Sequence, residues 1–167
     1  MVYASLFAAL TAAGAYLFVP IGPVPIVLQN MFVFLTGLLL GSRWGVASVA
    51  VYLLAGACGL PVFAGGTGGI GRFAGPTGGF LLGYLPAVLL IGLIAERRRA
   101  HMRWDVAAMI LGAAVLYACG VPWLKAVTGM PWDKALAVGA YPFLLGDAFK
   151  VAAAALIARS VRPIMAR

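Results

Sequence analysis

Two ionisable residues, Asp147 and Lys150, stand three apart inside the apolar run FLLGDAFKVAAAALIA, Phe143 to Ala158. At helical pitch that spacing puts an acid and a base on one face. A charge at membrane depth costs about 2.5–3.5 kcal/mol on insertion scales, so it normally faces a partner or a cavity. Two readings follow: a structural ion pair, or the polar floor of a ligand site. A second concentration of chemistry is GGTGGIGRFAGPTGG, Gly65 to Gly79, in which eight of fifteen residues are glycine and Arg72 is the one charge. Without Cβ atoms, backbone amides approach a ligand closely and adopt positive φ, so such a loop can roof a small-molecule site. The alternative is a flexible connector that binds nothing, though Ile70 and Phe73 suit a linker poorly.

Other chemistries are excluded by what is missing. Gly66, Gly68 and Gly71 spell GxGxxG, but a dinucleotide site needs a βαβ unit and an acid about 20 residues on. Ile91 stands there, so the match is accidental. No Gly-Lys pair occurs, so there is no phosphate-cradling GxxxxGK[ST] loop, and the chain does not hydrolyse nucleotide. His101 is the sole histidine, and Cys58 and Cys119 lack CxxC spacing, so neither metal nor cofactor is expected. The four acidic residues make no carboxylate cluster of the sort a metal-dependent lipid-modifying enzyme would use. The chain is expected not to be an enzyme.

The elements that must position Asp147, Lys150 and Arg72 follow from composition. Hydrophobic residues are 64% and charged residues 10% of the 167, with a mean hydropathy of +1.06, against roughly half and a quarter in soluble domains. The runs 1–42, 44–71, 73–95 and 106–124 contain no Asp, Glu, Lys, Arg or His. A bilayer span takes about 20 such residues. Prolines and glycines divide these runs into one all-α domain, 1–167, of six transmembrane helices near 2–19, 27–42, 44–60, 78–95, 106–124 and 138–160. The glycine-rich outer loop covers 61–78. The first helix lacks a basic leader and reads as retained, not as a cleaved signal peptide.

Six spans put both termini on one side with Arg43, Arg97, Arg98, Arg99, Arg103, Arg159, Arg162 and Arg167. Arg72, Lys125 and Lys134 fall opposite. The positive-inside bias makes the first side, and the termini, cytoplasmic in a prokaryotic cell membrane. Trp44 and Trp104 fall near the inner headgroups, and Trp123 and Trp132 near the outer ones. The net charge of +8 is mostly this asymmetry, and no nucleic-acid partner is implied.

Four segments in register, PVPIVLQ (Pro23 to Gln29), GLPVFAGGTGGIG (Gly59 to Gly71), GPTGGFLLGY (Gly75 to Tyr84) and GDxxK (Gly146 to Lys150), resemble the BioY family. BioY proteins are the biotin-binding S components of energy-coupling factor (ECF) vitamin transporters. The resemblance covers Ala4 to about Arg159 and implies an S-component-like bundle that captures biotin from outside. The partners it implies are an ECF transmembrane coupling protein and two ABC ATPase subunits that supply the energy. It also implies that the first helix packs on the coupling protein through small residues four apart. Ala4, Ala8 and Ala12 form one such row, Ala9 and Ala13 another, and close backbone approach in lipid suits both this and packing within the bundle.

Under that resemblance Asp147 would accept from the ureido N–H groups of biotin, and Lys150 would donate to the ureido oxygen or neutralise Asp147. The biotin carboxylate requires a cation, either Arg72, whose guanidinium matches it in bidentate fashion, or Lys150. Gln29, Thr67 and the loop backbone at Gly68 are further polar candidates. Tyr84, Tyr117 and Trp123 would pack on the ring system or simply in the core. Open alternatives are an S component for thiamine or riboflavin, a small membrane enzyme, or a purely structural subunit.

Overall fold

The chain, seen as a computed structural model that describes residues 2–20, 22–98 and 101–165, is helical wherever its apolar runs are unbroken. Arg99 and Arg167, counted above with the cytoplasmic cations, lie outside the described residues. Helix α1 (Val2–Tyr16) stops short of the expected 19. The residues after it form a two-residue strand β1 (Phe18–Val19), which pairs antiparallel with β2 (Ile26–Val27). Pro20, Pro23 and Pro25 between the strands cannot donate to a helical ladder, and Gly22 turns at φ 66°.

The expected helices 27–42 and 44–60 are the two arms of α2 (Gln29–Ala57), which bends back on itself at Gly41. Gln29 Nε2 donates to the Tyr52 hydroxyl at 2.8 Å across 23 residues, a separation that would span about 34 Å in a straight helix. Gly41 adopts φ 76°, ψ −171°, which only glycine takes without strain. Beside it the Ser42 amide donates to Glu96 at 2.7 Å, and the Ser42 hydroxyl reaches both Glu96 oxygens at 3.0 Å. Glu96 therefore caps the second arm, because a carboxylate suits the unsatisfied amides and positive end of a helix N-terminus.

Helix α4 (Gly78–Arg97) packs between α2 and α5 (Met102–Thr128). Ile91 is fully buried where they meet, and a Cβ at Gly37 would come within 2.8 Å of it. In lipid, this loss of side chain is what lets the helix backbones close up. Residues 96–105, left between the expected helices 78–95 and 106–124, are instead partly helical, to Arg97 and again from Met102. Asp105 is 3% exposed and takes a bidentate pair from Arg162, at 2.7 and 2.8 Å. Arg162 also donates to the Leu38 carbonyl at 3.4 Å, tying α5, α2 and the last helix together.

That last helix, α7 (Tyr141–Met165), begins after the expected 138 because a separate short helix, α6 (Trp132–Gly139), precedes it. Pro142 would clash with the carbonyl of residue 138 in a continuous helix, and the chain breaks at Ala140 (φ −132°, ψ −59°). The expected loop 61–78 contains one helical turn, α3 (Gly71–Ala74). By length and composition, four helical stretches among the described residues are fit to cross a membrane: Gln29–Ala57, Gly78–Arg97, Met102–Thr128 and Trp132–Met165. The first is the stretch that reverses at Gly41, and α1 is shorter but equally apolar.

Candidate ligand-binding cavity

The glycine-rich loop is a fastened lid, not a loose connector. Phe63 N–H donates to Thr67 O at 2.9 Å and Gly66 N–H to Phe63 O at 3.0 Å, with Gly65 and Gly66 at φ 74° and 68°. This tight turn drives the Phe63 ring into the space left by Gly56. There the ring is 2% exposed and meets Tyr52 and Phe73 edge-on at 5.6 and 5.7 Å. Gly69 N–H then donates to Gly56 O at 2.7 Å. The Tyr16 hydroxyl donates to Pro61 O, and the Trp123 indole N–H to Gly75 O at 3.0 Å.

Beneath the lid lies an open-mouthed cavity, with about 770 Å³ of empty space when the solvent at its mouth is included. One wall is the 23–27 segment with the start of α2, another is α4, and Tyr117 and Phe143 close the far side. Val24, Val27, Phe80 and Leu81 make much of it apolar. Polar groups gather at two places. Deep in the cavity are Gln29, 2% exposed and bonded to Tyr52, and Asn30, whose Oδ1 accepts from the Tyr84 hydroxyl at 2.7 Å. At the lid stands Arg72, exposed and without an ion pair among the described residues.

Of the residues singled out from sequence, Gln29, Thr67, Arg72, Tyr84 and Tyr117 line the cavity. Thr67 spends its hydroxyl on Ala64 O at 3.0 Å, inside the lid turn. Asp147 and Lys150 do not line it. They form a buried pair at 2.8 Å, and the second carboxylate oxygen accepts from the Tyr117 hydroxyl. The acid thus stands one hydrogen bond behind the cavity wall. Gly68 and Trp123 serve the lid: a Cβ at Gly68 would run into the backbone of Gly59 and Leu60, and Trp123 holds Gly75.

Asn30 was missed by sequence reasoning, although its place beside Gln29 was a usable signal. The alanine rows separate. Ala8 is 7% exposed and Ala12 half-buried against the core, while the Ala4 carbonyl accepts from Ser48 at 2.7 Å, so that row faces α2. Ala9 and Ala13 face outward. No group of three or more His, Cys, Asp or Glu side chains is placed to hold a metal among the described residues.

Comparison with known proteins gives a consistent result. A family model described as the BioY family matches residues 1–167. The chain is 41% identical over 164 residues to the "Biotin transporter BioY" of Thermotoga maritima, covering 98% of this chain and 96% of that one. It is 40% identical over 158 residues to the "Probable biotin transporter BioY" of Pyrococcus horikoshii, covering 95% and 93%. In structure it is similar to a crystal structure described as the S-component for biotin from an ECF-type ABC transporter. The TM-score is 0.91 at 31% identity, over 97% of this chain and 89% of that one.

Proposed function

The chain belongs to the BioY family, and on that premise we propose how it works as the biotin-capturing membrane subunit of an ECF-type transporter. Its function is biotin capture and transport, not catalysis. The observation that carries the site is the arrangement of polar groups: a rim cation with no ion pair among the described residues, then apolar walls, then amides and phenols within. Biotin has the same order of parts, a carboxylate, an aliphatic chain, and a fused ring bearing two N–H donors and a carbonyl. Arg72 takes the carboxylate at the lid, and Val24, Val27 and Phe80 cover the chain. Gln29 and Asn30 border the ring.

Asp147 enters by exchange. One of its oxygens is held by Lys150 and the other by the Tyr117 hydroxyl. A ureido N–H replaces that hydroxyl like for like as the Tyr117 ring gives way, so no buried oxygen is left bare. Lys150 then stays paired with Asp147 and reaches the ureido oxygen.

The reversal at Gly41 divides α2 into two arms, which supports a count of six spans: α1, the two arms, α4, α5 and α7. The concentration of exposed arginines at the Gly41 end supports cytoplasmic termini and an extracytoplasmic lid in a prokaryotic cell membrane. Energy comes from partner chains, a coupling protein and two ABC ATPase subunits. The outward row of Ala9 and Ala13 on α1 is where the coupling protein packs. Equilibrium binding of labelled biotin to the purified protein, with thiamine and riboflavin as competitors, tests the substrate. Saturable binding that only unlabelled biotin displaces is expected, and displacement by thiamine or riboflavin contradicts it.

A further inference from the structure

The lid is fastened on two sides of the bundle, and Arg72 lies between the fastenings. On one side Gly69 N–H is held by the Gly56 carbonyl of α2, and Arg72 N–H donates in turn to Gly69 O at 3.1 Å. On the other, Gly75 N–H donates to Arg72 O at 3.3 Å, while the Gly75 carbonyl accepts from Trp123 Nε1 at 3.0 Å. Arg72 therefore rides on a single helical turn whose two ends are tied to different helices. The α5 tie is a single indole hydrogen bond.

Trp123 itself is seated by the first turn of α4. A Cβ at Gly79 would come within 2.7 Å of Trp123 Cγ, so a bare backbone lets the Trp123 side chain close on α4 while its N–H reaches the lid. Trp123 is not one of the residues that line the cavity. Its polar atom points at the turn that carries the rim cation. A guanidinium gains most from a carboxylate when both N–H groups of its fork are in register, which makes the location of this turn a determinant of selectivity.

We propose that Trp123 is a positioning residue for Arg72, setting through the Gly75 carbonyl how well the protein distinguishes a carboxylate from a neutral group at the rim end of its ligand. This rests on the reading of Arg72 as the carboxylate's partner, and the test separates the two claims. Biotin and biotinamide, whose carboxamide has the shape of the carboxylate without its charge, are titrated into the purified wild type, R72Q, W123F and R72Q/W123F. Phenylalanine keeps an aromatic ring against Gly79 and removes the N–H donor. Wild type is expected to prefer biotin by about tenfold or more, R72Q to lose that preference, and W123F to lose about half of it on a logarithmic scale. W123F is expected to bind biotinamide as wild type does, which also reports that it is folded, and the double variant to match R72Q, since residues acting in series are not additive. A W123F protein with the full preference for biotin, or one that weakens both ligands equally, overturns the positioning role and leaves Arg72's own role standing. Equal binding of both ligands by wild type, or an R72Q protein that keeps the preference, overturns Arg72's role and this inference with it.

Discussion

The two ends of the bundle treat their charges in opposite ways. At the Gly41 end, Glu96 caps the second arm of α2 through Ser42, and Asp105 is matched in bidentate fashion by Arg162. Each of these carboxylates has a partner within the fold. At the lid end, Arg72 faces a cavity and makes no ion pair among the described residues, while Tyr117, Asn30 and Gln29 line the interior. Satisfied charges hold helices in place, whereas a cation left open beside an apolar cavity is available to a ligand. The Asp147–Lys150 pair lies between these cases: closed like the one end, yet hydrogen-bonded to Tyr117, which lines the cavity.

Substitutions can break or sharpen this contrast. The largest effect is expected from Asp147→Ala, which leaves Lys150 buried without its partner. Loss of about 3–5 kcal/mol of stability, read as a lowered melting midpoint in detergent, should accompany loss of biotin binding. An unchanged midpoint would mean that the pair is not buried as described. Next comes Arg72→Gln, for which biotin affinity should fall about ten- to a hundredfold by titration with the melting midpoint unmoved. A drop in the midpoint would place Arg72 with the closed end. Asp105→Asn should do the reverse, lowering stability by about 1–2 kcal/mol, discounted because Arg162 is partly exposed, while leaving biotin affinity within about twofold. The smallest effect is expected from Tyr117→Phe. If biotin displaces that hydroxyl, affinity should stay level or tighten by up to about threefold, since the competitor for Asp147 is gone. A large loss would make the hydroxyl itself a ligand contact.

Much of the architecture was legible because composition and punctuation carry it. Runs without charge, cut by prolines and glycines, announce apolar helices whatever they pack against. The reversal itself was legible as a boundary, though the glycine responsible is Gly41. What stayed hidden depends on partners far along the chain. Asp105 reads as one more loop charge until Arg162, 57 residues on, is found to pair with it. Asp147 reads either as the acid of an ion pair with Lys150 or as the floor of a ligand site, and neither reading points to Tyr117, 30 residues earlier, which holds its second oxygen. Trp123 reads as a ring packed on biotin or in the core, and only the fold shows its N–H turned to Gly75. The alanine rows on α1 could not be told apart because helical spacing says which residues share a face, and not which face meets α2. The glycine-rich loop is expected from its composition to use positive φ and close backbone approach, and Gly65, Gly66 and Gly69 do adopt positive φ, but only the fold shows that Gly68 makes room for the backbone of Leu60 and Gly79 for Trp123.

The central claim is the direction in which biotin lies, ring inward and carboxylate at the lid. A crystal structure of the biotin complex tests it most directly. The carboxylate is expected in a bidentate pair with Arg72, with a ureido N–H on Asp147 in place of the Tyr117 hydroxyl. A carboxylate found instead against Lys150, with the ring under the lid, would contradict the account.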